Sequence, residues 1–266
     1  MENTKLMEMI RTNPKIITTI TNPTEAMIQL ALEKDGMLLE YLNDATRKIQ
    51  ELALNSNPRA IKFIDHPTES MMITAVKSGW TNLEYIKNPT EVVVRMAIEQ
   101  AGWAIRYIKQ PSEALQLLAV RQNYDAIKFI SNPTGKVQEE AVTISYDALR
   151  FINAPTAKAE LIAVRNHESA IKFINELSIN KILAFLKENF MVIKYVMKEI
   201  SKDELINVLK EVLSKEDVDD TYVRNFLSYT TIDHSYIKEI DKLLLIYRFG
   251  SRKAKKIAVD EKLSMS

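Results

Sequence analysis

Basic side chains recur in register along the chain, at intervals of 22 residues or multiples of 22. A row of guanidinium and ammonium groups on one face could bind the phosphates of a nucleic acid or an acidic protein surface. The alternative is a solvated face, on which long basic side chains cover apolar neighbours. The first basic column is Arg106, Lys128, Arg150, Lys172 and Lys194, and the second basic column is Lys77, Arg121, Arg165 and Lys187.

The two tryptophans, Trp80 and Trp103, are the other candidate binding residues, and they fall in successive units of the same rhythm. Tryptophan is enriched at the energetic centres of protein interfaces, so the pair could anchor a partner. Filling of space between helices is the alternative for both side chains.

Catalytic signatures are absent from the sequence. There is no Cys, and His66, His167 and His234 are widely separated. No G-x-G-x-x-G, P-loop, H-E-x-x-H or G-x-S-x-G motif is present. We therefore expect a protein that is not an enzyme and that needs no cofactor and no metal ion.

A repeated tetrapeptide marks the starts of the helices that position these residues. Asn-Pro-Thr-Glu stands at 22–25 and at 88–91, and the prolines of this position recur every 22 residues, with Ala45 replacing one of them. Asn22 is predicted as an N-cap, Pro23 as the first helical residue and Glu25 as N3 of a capping box. The tetrapeptide therefore predicts the start of a short helix in each unit.

Apolar columns keep the same register. An aromatic column runs from Tyr41 to Tyr195, and we interpret it as packing between helices. A column of alanines predicts close helix approach, and the aliphatic column after it predicts the central core. The alanines are Ala31, Ala53, Ala75, Ala97, Ala119, Ala141 and Ala163, and the aliphatic residues are Leu32, Leu54, Val76, Ile98, Val120, Val142 and Val164.

A 22-residue pair of helices cannot bury its own apolar face, so it must stack on its neighbours. The predicted fold is all-α: an αα-solenoid of about nine 22-residue helical-pair repeats over residues 1–197, with a C-terminal helical cap over residues 198–266. In the first full unit, we expect one helix to reach residue 34 and a second to span about 36–43.

Residues 97–107 and 119–129 carry a resemblance to a known family. They resemble the A-V-x-x-N-G-x-A-L-x-Y/F units of tandem short helical-hairpin repeats in a bacterial and viral family of unknown function, and the resemblance covers about residues 13–196. It implies helical pairs and supplies no catalytic residue. The sequence departs from the pattern where Pro58, Tyr124 and Glu168 replace the glycine.

The last 69 residues lack the 22-residue periodicity. Ser201 and Glu204 predict a capping box that opens a helix through about Leu213. Ser214 is predicted to cap a second helix, and a third is expected to follow Asp233 and to end near Gly250. Capping of the last repeat is the expected role. Because 243–247 is apolar nearly all round, homodimerisation through Leu243, Leu244 and Tyr247 is a further hypothesis.

The remaining features concern partners and setting. The formal net charge is only +1, and no apolar run is long enough to span a membrane. The basic stretch 252–256 is expected to be mobile. No secretory signal is recognisable, so we expect a cytoplasmic protein. Richness in Ile, Lys and Asn is typical of AT-rich genomes, such as those of low-GC bacteria or their phages.

Together these features predict a non-enzymatic repeat scaffold that binds another protein and, in a phage or mobile element, inhibits a host protein. The alternative is a nucleic-acid-binding repeat protein that uses the first basic column.

Overall fold

The computed structural model describes residues 2–230 and 236–264, and all regular elements within these residues are helices. The all-α class predicted from the repeat is confirmed. The chain divides into two compact units, Met1–Pro133 (unit 1) and Thr134–Ser266 (unit 2).

Unit 1 alternates α-helices with short 3-10 helices, written η. Its elements are α1 (Glu2–Thr12), η1 (Pro14–Thr19), α2 (Glu25–Lys34), η2 (Gly36–Tyr41), α3 (Arg47–Ser56), η3 (Pro58–Phe63), α4 (Glu69–Ser78), η4 (Trp80–Tyr85), α5 (Glu91–Gln100), η5 (Gly102–Tyr107), α6 (Glu113–Gln122) and η6 (Tyr124–Phe129).

Unit 2 continues the alternation and then leaves it. Its elements are α7 (Gly135–Ile144), η7 (Tyr146–Phe151), α8 (Ala157–Asn166), η8 (Glu168–Phe173), α9 (Ile179–Glu188), η9 (Phe190–Val192), α10 (Ile193–Val196), α11 (Lys202–Leu213), α12 (Asp220–Ser228), η10 (Tyr236–Glu239), α13 (Lys242–Phe249) and α14 (Arg252–Ser264).

Each full repeat consists of a ten-residue α-helix and a six-residue 3-10 helix. Within each unit the α-helices pack on the α-helices of the next repeat, and the 3-10 helices pack on the next 3-10 helices. The second helix ends when a residue such as Leu42 turns extended, with its N–H donating to the carbonyl three residues back. Such i to i+3 bonding is typical of very short helices.

The predicted helix start is wrong by two residues. Thr24, not Asn22, is the N-cap of α2, and its hydroxyl accepts a hydrogen bond from the backbone N–H of Met27. Glu25 is therefore the first helical residue, where its charge still favours the positive end of the helix dipole. Asn22 and Pro23 lie before the cap, in the linker that enters the helix.

The predicted core is confirmed. The alanine and aliphatic columns are buried in every repeat that carries them. The start of the preceding 3-10 helix also lies close to the backbone carbonyl oxygens of Ala53 and Ala119. The lack of a side chain at Gly36 and Gly102, which start those 3-10 helices, therefore allows the neighbouring repeats to come this close.

The C-terminal helices cover the last repeat within unit 2. α11 packs on α9, and α12 packs on η9. The buried Phe190 ring meets Phe226 edge-on at 5.3 Å between centroids. The hydroxyl of Tyr222 donates to the carbonyl of Leu186 at 2.9 Å, and burial raises the pKa of this phenol.

Four details of the C-terminal segment can be compared with the sequence predictions. The capping box of Ser201 and Glu204 is present. The prediction for Ser214 is wrong, because Asp219 caps α12 and Ser214 ends α11. The third predicted helix is two elements, η10 and α13, with a new cap at Asp241; Asp233 lies outside the described residues.

The fourth detail is the basic stretch 252–256, which lies in α14 and is not a tail. Ala254, Ile257 and Ala258 are buried on one side of that helix. α14 packs on α12 and α13, so its basic residues are held on a folded element.

Candidate binding surfaces

Unit 1 brings Arg106, Trp80 and Phe129 together. The guanidinium carbon of Arg106 lies 4.0 Å from the centroid of the Phe129 ring and 5.7 Å from that of Trp80. The Arg106 Nε also donates to the carbonyl of Trp103 at 3.1 Å. A 3-10 helix has three residues per turn, so residues 103 and 106 lie above one another. Arg106 is therefore an exposed cation held between two aromatic rings.

Trp103 and Lys128 meet at Asp125. Trp103 Nε1 donates to one oxygen of the Asp125 carboxylate at 2.7 Å, and Lys128 Nζ donates to the other at 2.7 Å. Burial alone would raise the pKa of Asp125, but these two hydrogen bonds, the positive charge of Lys128 and a backbone hydrogen bond together hold the pKa below its ordinary value. The tryptophans are half-buried between repeats, so the structure places both of them in packing contacts.

Unit 2 repeats the pairing of cations with rings. The Arg150 guanidinium lies 5.3 Å from the Phe151 centroid and 5.9 Å from that of Phe173, and Lys172 Nζ lies 5.0 Å from the Tyr195 centroid. These distances are within the range of cation–π attraction. Basic side chains therefore lie across half-exposed rings of the aromatic column in this unit too.

Lys194, the last residue of the first basic column, has a carboxylate partner. Its Nζ donates to Glu168 at 2.9 Å. Burial would raise the pKa of Glu168, but the hydrogen bond from Lys194 and its positive charge lower it below the ordinary value. The carboxylate belongs to the preceding repeat, so the pair ties two repeats together.

The second basic column does not join the first in one pocket. Unit 2 contains a polar cleft of about 710 Å³, lined by Arg165 and Lys187 of the second column and by none of the first. Arg165 Nε donates to Glu188 at 2.6 Å, and Lys187 pairs with Glu211 at 2.6 Å. In unit 1, Arg121 is an exposed residue of the last turn of α6. The cleft thus presents cations already paired with carboxylates.

The predicted oligomerisation residues are exposed on α13. Tyr247 is 75% exposed, and Leu243 and Leu244 are 45% and 42% exposed. The same helix buries Leu245 and Ile246, so it is apolar on its inner side and on much of its outer side.

Lys242 fixes the start of α13 against α12. Its ammonium group donates to the carbonyl of Leu227 at 2.9 Å and to that of Tyr229, at the carboxyl end of α12. Burial lowers the pKa of Lys242. A cation at this end of a helix is favoured by the helix dipole.

The histidines do not form a site in the described residues. His167 caps η8 by accepting a hydrogen bond from the Ser169 N–H at 3.1 Å, and its ring stacks on Tyr146 at 4.4 Å. His66 is exposed in a linker, and His234 lies outside the described residues. Over residues 2–230 and 236–264, no group of three or more metal-binding side chains is gathered.

Two groups of residues escaped the sequence predictions. Asp125 and Glu168 are the carboxylates that pair with the first basic column. The three-residue spacing of Asp125 and Lys128 was a usable signal, whereas the spacing of 26 positions from Glu168 to Lys194 gave none. The N-caps are the other group. A Ser or Thr precedes every repeat helix from α2 to α9, at Thr24, Thr46, Thr68, Thr90, Ser112, Thr134, Thr156 and Ser178.

No protein-family model, curated protein or solved structure matches this chain. The resemblance to tandem helical-hairpin repeats therefore remains a prediction from the sequence. In the described part of the chain, none of the helices has the length and apolar character needed to cross a bilayer.

Proposed function

We propose that the protein is a non-enzymatic scaffold, acting in the cytoplasm, that binds another protein through the cations and rings at the ends of its 3-10 helices. The main support is the position of Arg106, exposed and held between the rings of Trp80 and Phe129. Arginine and aromatic side chains are the types that dominate binding energy at protein interfaces.

The carboxylates in the same regions favour a protein partner. Asp125 and Glu168 pair with Lys128 and Lys194, so the surface around the first basic column carries both signs of charge. A surface of mixed sign with apolar rings resembles protein interfaces more than a phosphate-binding groove. The Ile-, Lys- and Asn-rich composition supports a bacterial or phage setting, where we propose that the scaffold inhibits a host protein.

The test is affinity capture from a low-GC bacterial lysate with the tagged full chain, before and after nuclease treatment. Arg106→Glu should abolish capture of the specific partner, because it removes the cation from the ring pair. Arg95→Glu is the matched control, since Arg95 is an exposed cation of α5 paired with Glu91. A partner that Arg106→Glu still captures contradicts the proposal.

Nucleic-acid binding is the second candidate. Among the described residues, Arg150 and Lys172 contact aromatic rings and pair with no carboxylate. Rings beside cations suit single strands, whose bases stack on aromatic side chains while the phosphates meet the cations. Affinity for a labelled oligonucleotide should then fall steeply as salt rises. A flat salt dependence, or no binding at low salt, rejects this candidate.

Homodimerisation is a separate proposal that concerns α13. Its exposed apolar residues lie on an ordered helix, and such a face is usually covered by a partner. Light scattering should give the mass of a dimer for the full chain and that of a monomer for Leu243→Glu/Tyr247→Glu. Val92→Glu, at an exposed apolar residue of α5, is the control. A monomeric wild-type chain refutes the proposal.

A further inference from the structure

The linker between η2 and α3 differs from its neighbours. It carries Ala45 where the linkers before and after it carry Pro23 and Pro67. Asp44 has a φ of 55°, the only positive φ of a non-glycine residue in the described chain. Residues 42–46, the second linker, therefore follow a path of their own.

A cavity of about 690 Å³ lies beside this linker in unit 1. Ile28 and Leu42 line it and are half-exposed, whereas Met72 and Ile64, at the same positions of later repeats, are buried. Tyr41 forms part of the wall and is 60% exposed. The apolar surface beside the second linker is thus partly open to solvent, as it is at Ile108, whereas most repeats bury it.

The charge of this cavity has one sign. Glu25 and Asp44 are its only charged lining residues, and no lysine or arginine lines it. Asp44 makes no ion pair within the described residues. Glu25 lies 3.4 Å from Lys48, with both side chains largely exposed, and such surface pairs are weak. Glu25 also accepts a hydrogen bond from Gln29 Nε2 at 3.0 Å. Both contacts lie at the surface, where a cation from outside can reach the two carboxylates.

We propose that the second-linker cavity binds a peptide segment of a partner protein in which an aliphatic side chain is flanked by lysine or arginine. The aliphatic side chain lies against Ile28 and Leu42, next to Tyr41. The flanking cations reach Glu25 and Asp44 at the rim. The volume suits a short segment, since ligand pockets commonly span about 300–1,000 Å³.

This inference rests on the proposed function, because it names a partner chemistry for a protein-binding scaffold. It uses residues distant in sequence from Arg106, Trp80 and Phe129, so the two sites can be tested independently. Loss of capture by Arg106→Glu, with peptide binding at the cavity unchanged, would leave both standing as separate surfaces.

The experiment selects random dodecapeptides against the immobilised full chain and measures the affinity of the enriched peptides by fluorescence anisotropy. We expect enriched sequences with an aliphatic residue between Lys or Arg residues. The variant Glu25→Gln/Asp44→Asn should weaken their binding about fivefold to tenfold, because two exposed charge contacts are lost. Asn tolerates the positive φ at residue 44, so the fold should persist.

The matched control is Asp65→Asn/Glu69→Gln, which removes the same charge at the next linker and should leave the affinity unchanged. Enrichment of acidic peptides, no enrichment, or an equal effect of both double variants would overturn the proposal. Self-association of the full chain that Glu25→Gln/Asp44→Asn abolishes would show that a second copy is the occupant, and would overturn it as well.

Discussion

Asp125 joins two repeats of unit 1 through the hydrogen bond from Trp103, and it accepts a second hydrogen bond from Lys128 of its own helix. Because the pKa of this carboxyl is lower in the folded state than in the unfolded chain, its contribution to stability is complete above the ordinary aspartate pKa. It is lost as the pH falls through the lowered value. Part of the acid sensitivity of the fold should therefore depend on this residue.

We predict that Trp103→Phe reduces the drop in thermal midpoint between about pH 7 and about pH 3, because Asp125 then loses a donor that favours its ionised form. Unfolding curves over this range for wild type and variant measure the effect. An unchanged pH dependence in the variant would show that the tryptophan does not influence the carboxyl group.

Gly102 is required by a close backbone approach. A Cβ at this position would lie 2.2 Å from the carbonyl oxygen of Ala119, whereas at Gly79 the nearest atom would lie at 3.9 Å. Gly102→Ala should destabilise unit 1 by about 1–3 kcal/mol through overpacking. Gly79→Ala should be neutral or stabilise by up to about 1 kcal/mol. Chemical denaturation of both variants compares them directly, and equal effects would contradict the packing explanation.

The sequence allowed some residue roles to be predicted and left others hidden. The buried alanine column was predictable because a small side chain at one position of every repeat has a simple packing reason. The cap was misplaced at Asn22 because asparagine is also a good cap and proline is common at the first helical position. The position of Thr24 holds Ser or Thr in every later repeat. That column was the better signal for the N-cap.

At the scale of elements, α8 and α9 share a buried ion pair. Glu160 is 4% exposed and receives a hydrogen bond from Lys181 at 2.8 Å. One repeat earlier, the equivalent positions of α7 and α8 hold Gln138 and Ala159. The pair therefore replaces a neutral residue and an apolar residue with two charges of opposite sign.

Lys181→Met should destabilise the fold by about 2 kcal/mol, because it leaves the Glu160 carboxylate buried without a partner. That value is below the usual range for a buried pair, since Lys181 is about one-third exposed. The double variant Glu160→Gln/Lys181→Met should lie within about 1 kcal/mol of wild type. Denaturant midpoints give both values. A double variant no more stable than Lys181→Met would show that packing, and not charge, causes the loss.

The type of the second helix was beyond the sequence. Segments such as 36–41 have apolar residues at spacings compatible with either an α or a 3-10 helix, and a six-residue element gives too few turns to distinguish them. Its ends were clearer, since Asp35 caps its start and the linker after Tyr41 is extended. The period of the repeat was thus predictable, and the hydrogen-bond pattern inside it was not.

At the scale of the whole molecule, the stability of each repeat should depend on its packing against neighbouring repeats. Phe226 is fully buried and contacts Phe190 of the last repeat. Phe226→Ala should lower the free energy of unfolding by about 3–5 kcal/mol. The loss of stability should be largest where the C-terminal helices contact the last repeat of unit 2. Hydrogen exchange should show the largest loss of protection in α9 and η9 and a smaller one in α7. Uniform loss throughout unit 2 would instead indicate a single cooperative block.

The candidate surfaces were predictable only in part at this scale. Equal spacing placed Arg106, Lys128, Arg150 and Lys172 at the same position of successive second helices, which the structure shows to be 3-10 helices, so these cations were expected to lie in similar surroundings. Lys194 lies in the α-helix α10. Their contacts with rings of the next repeat were not foreseen, because the aromatic column was interpreted as packing alone. The second-linker cavity depends on how one linker without proline folds. A repeat pattern predicts what the repeats share, so it could not predict the conformation of the one linker that differs.

The linkers have a consequence for how such a chain can change length. Every full repeat begins with an extended linker and a Ser or Thr cap and finishes at the start of the next linker, so its two ends have the same local form. An in-frame duplication or loss of one repeat within unit 1 would join ends that already match. Size variation by whole repeats should therefore be tolerated in descendants of this gene, whereas insertions of a few residues should be rejected.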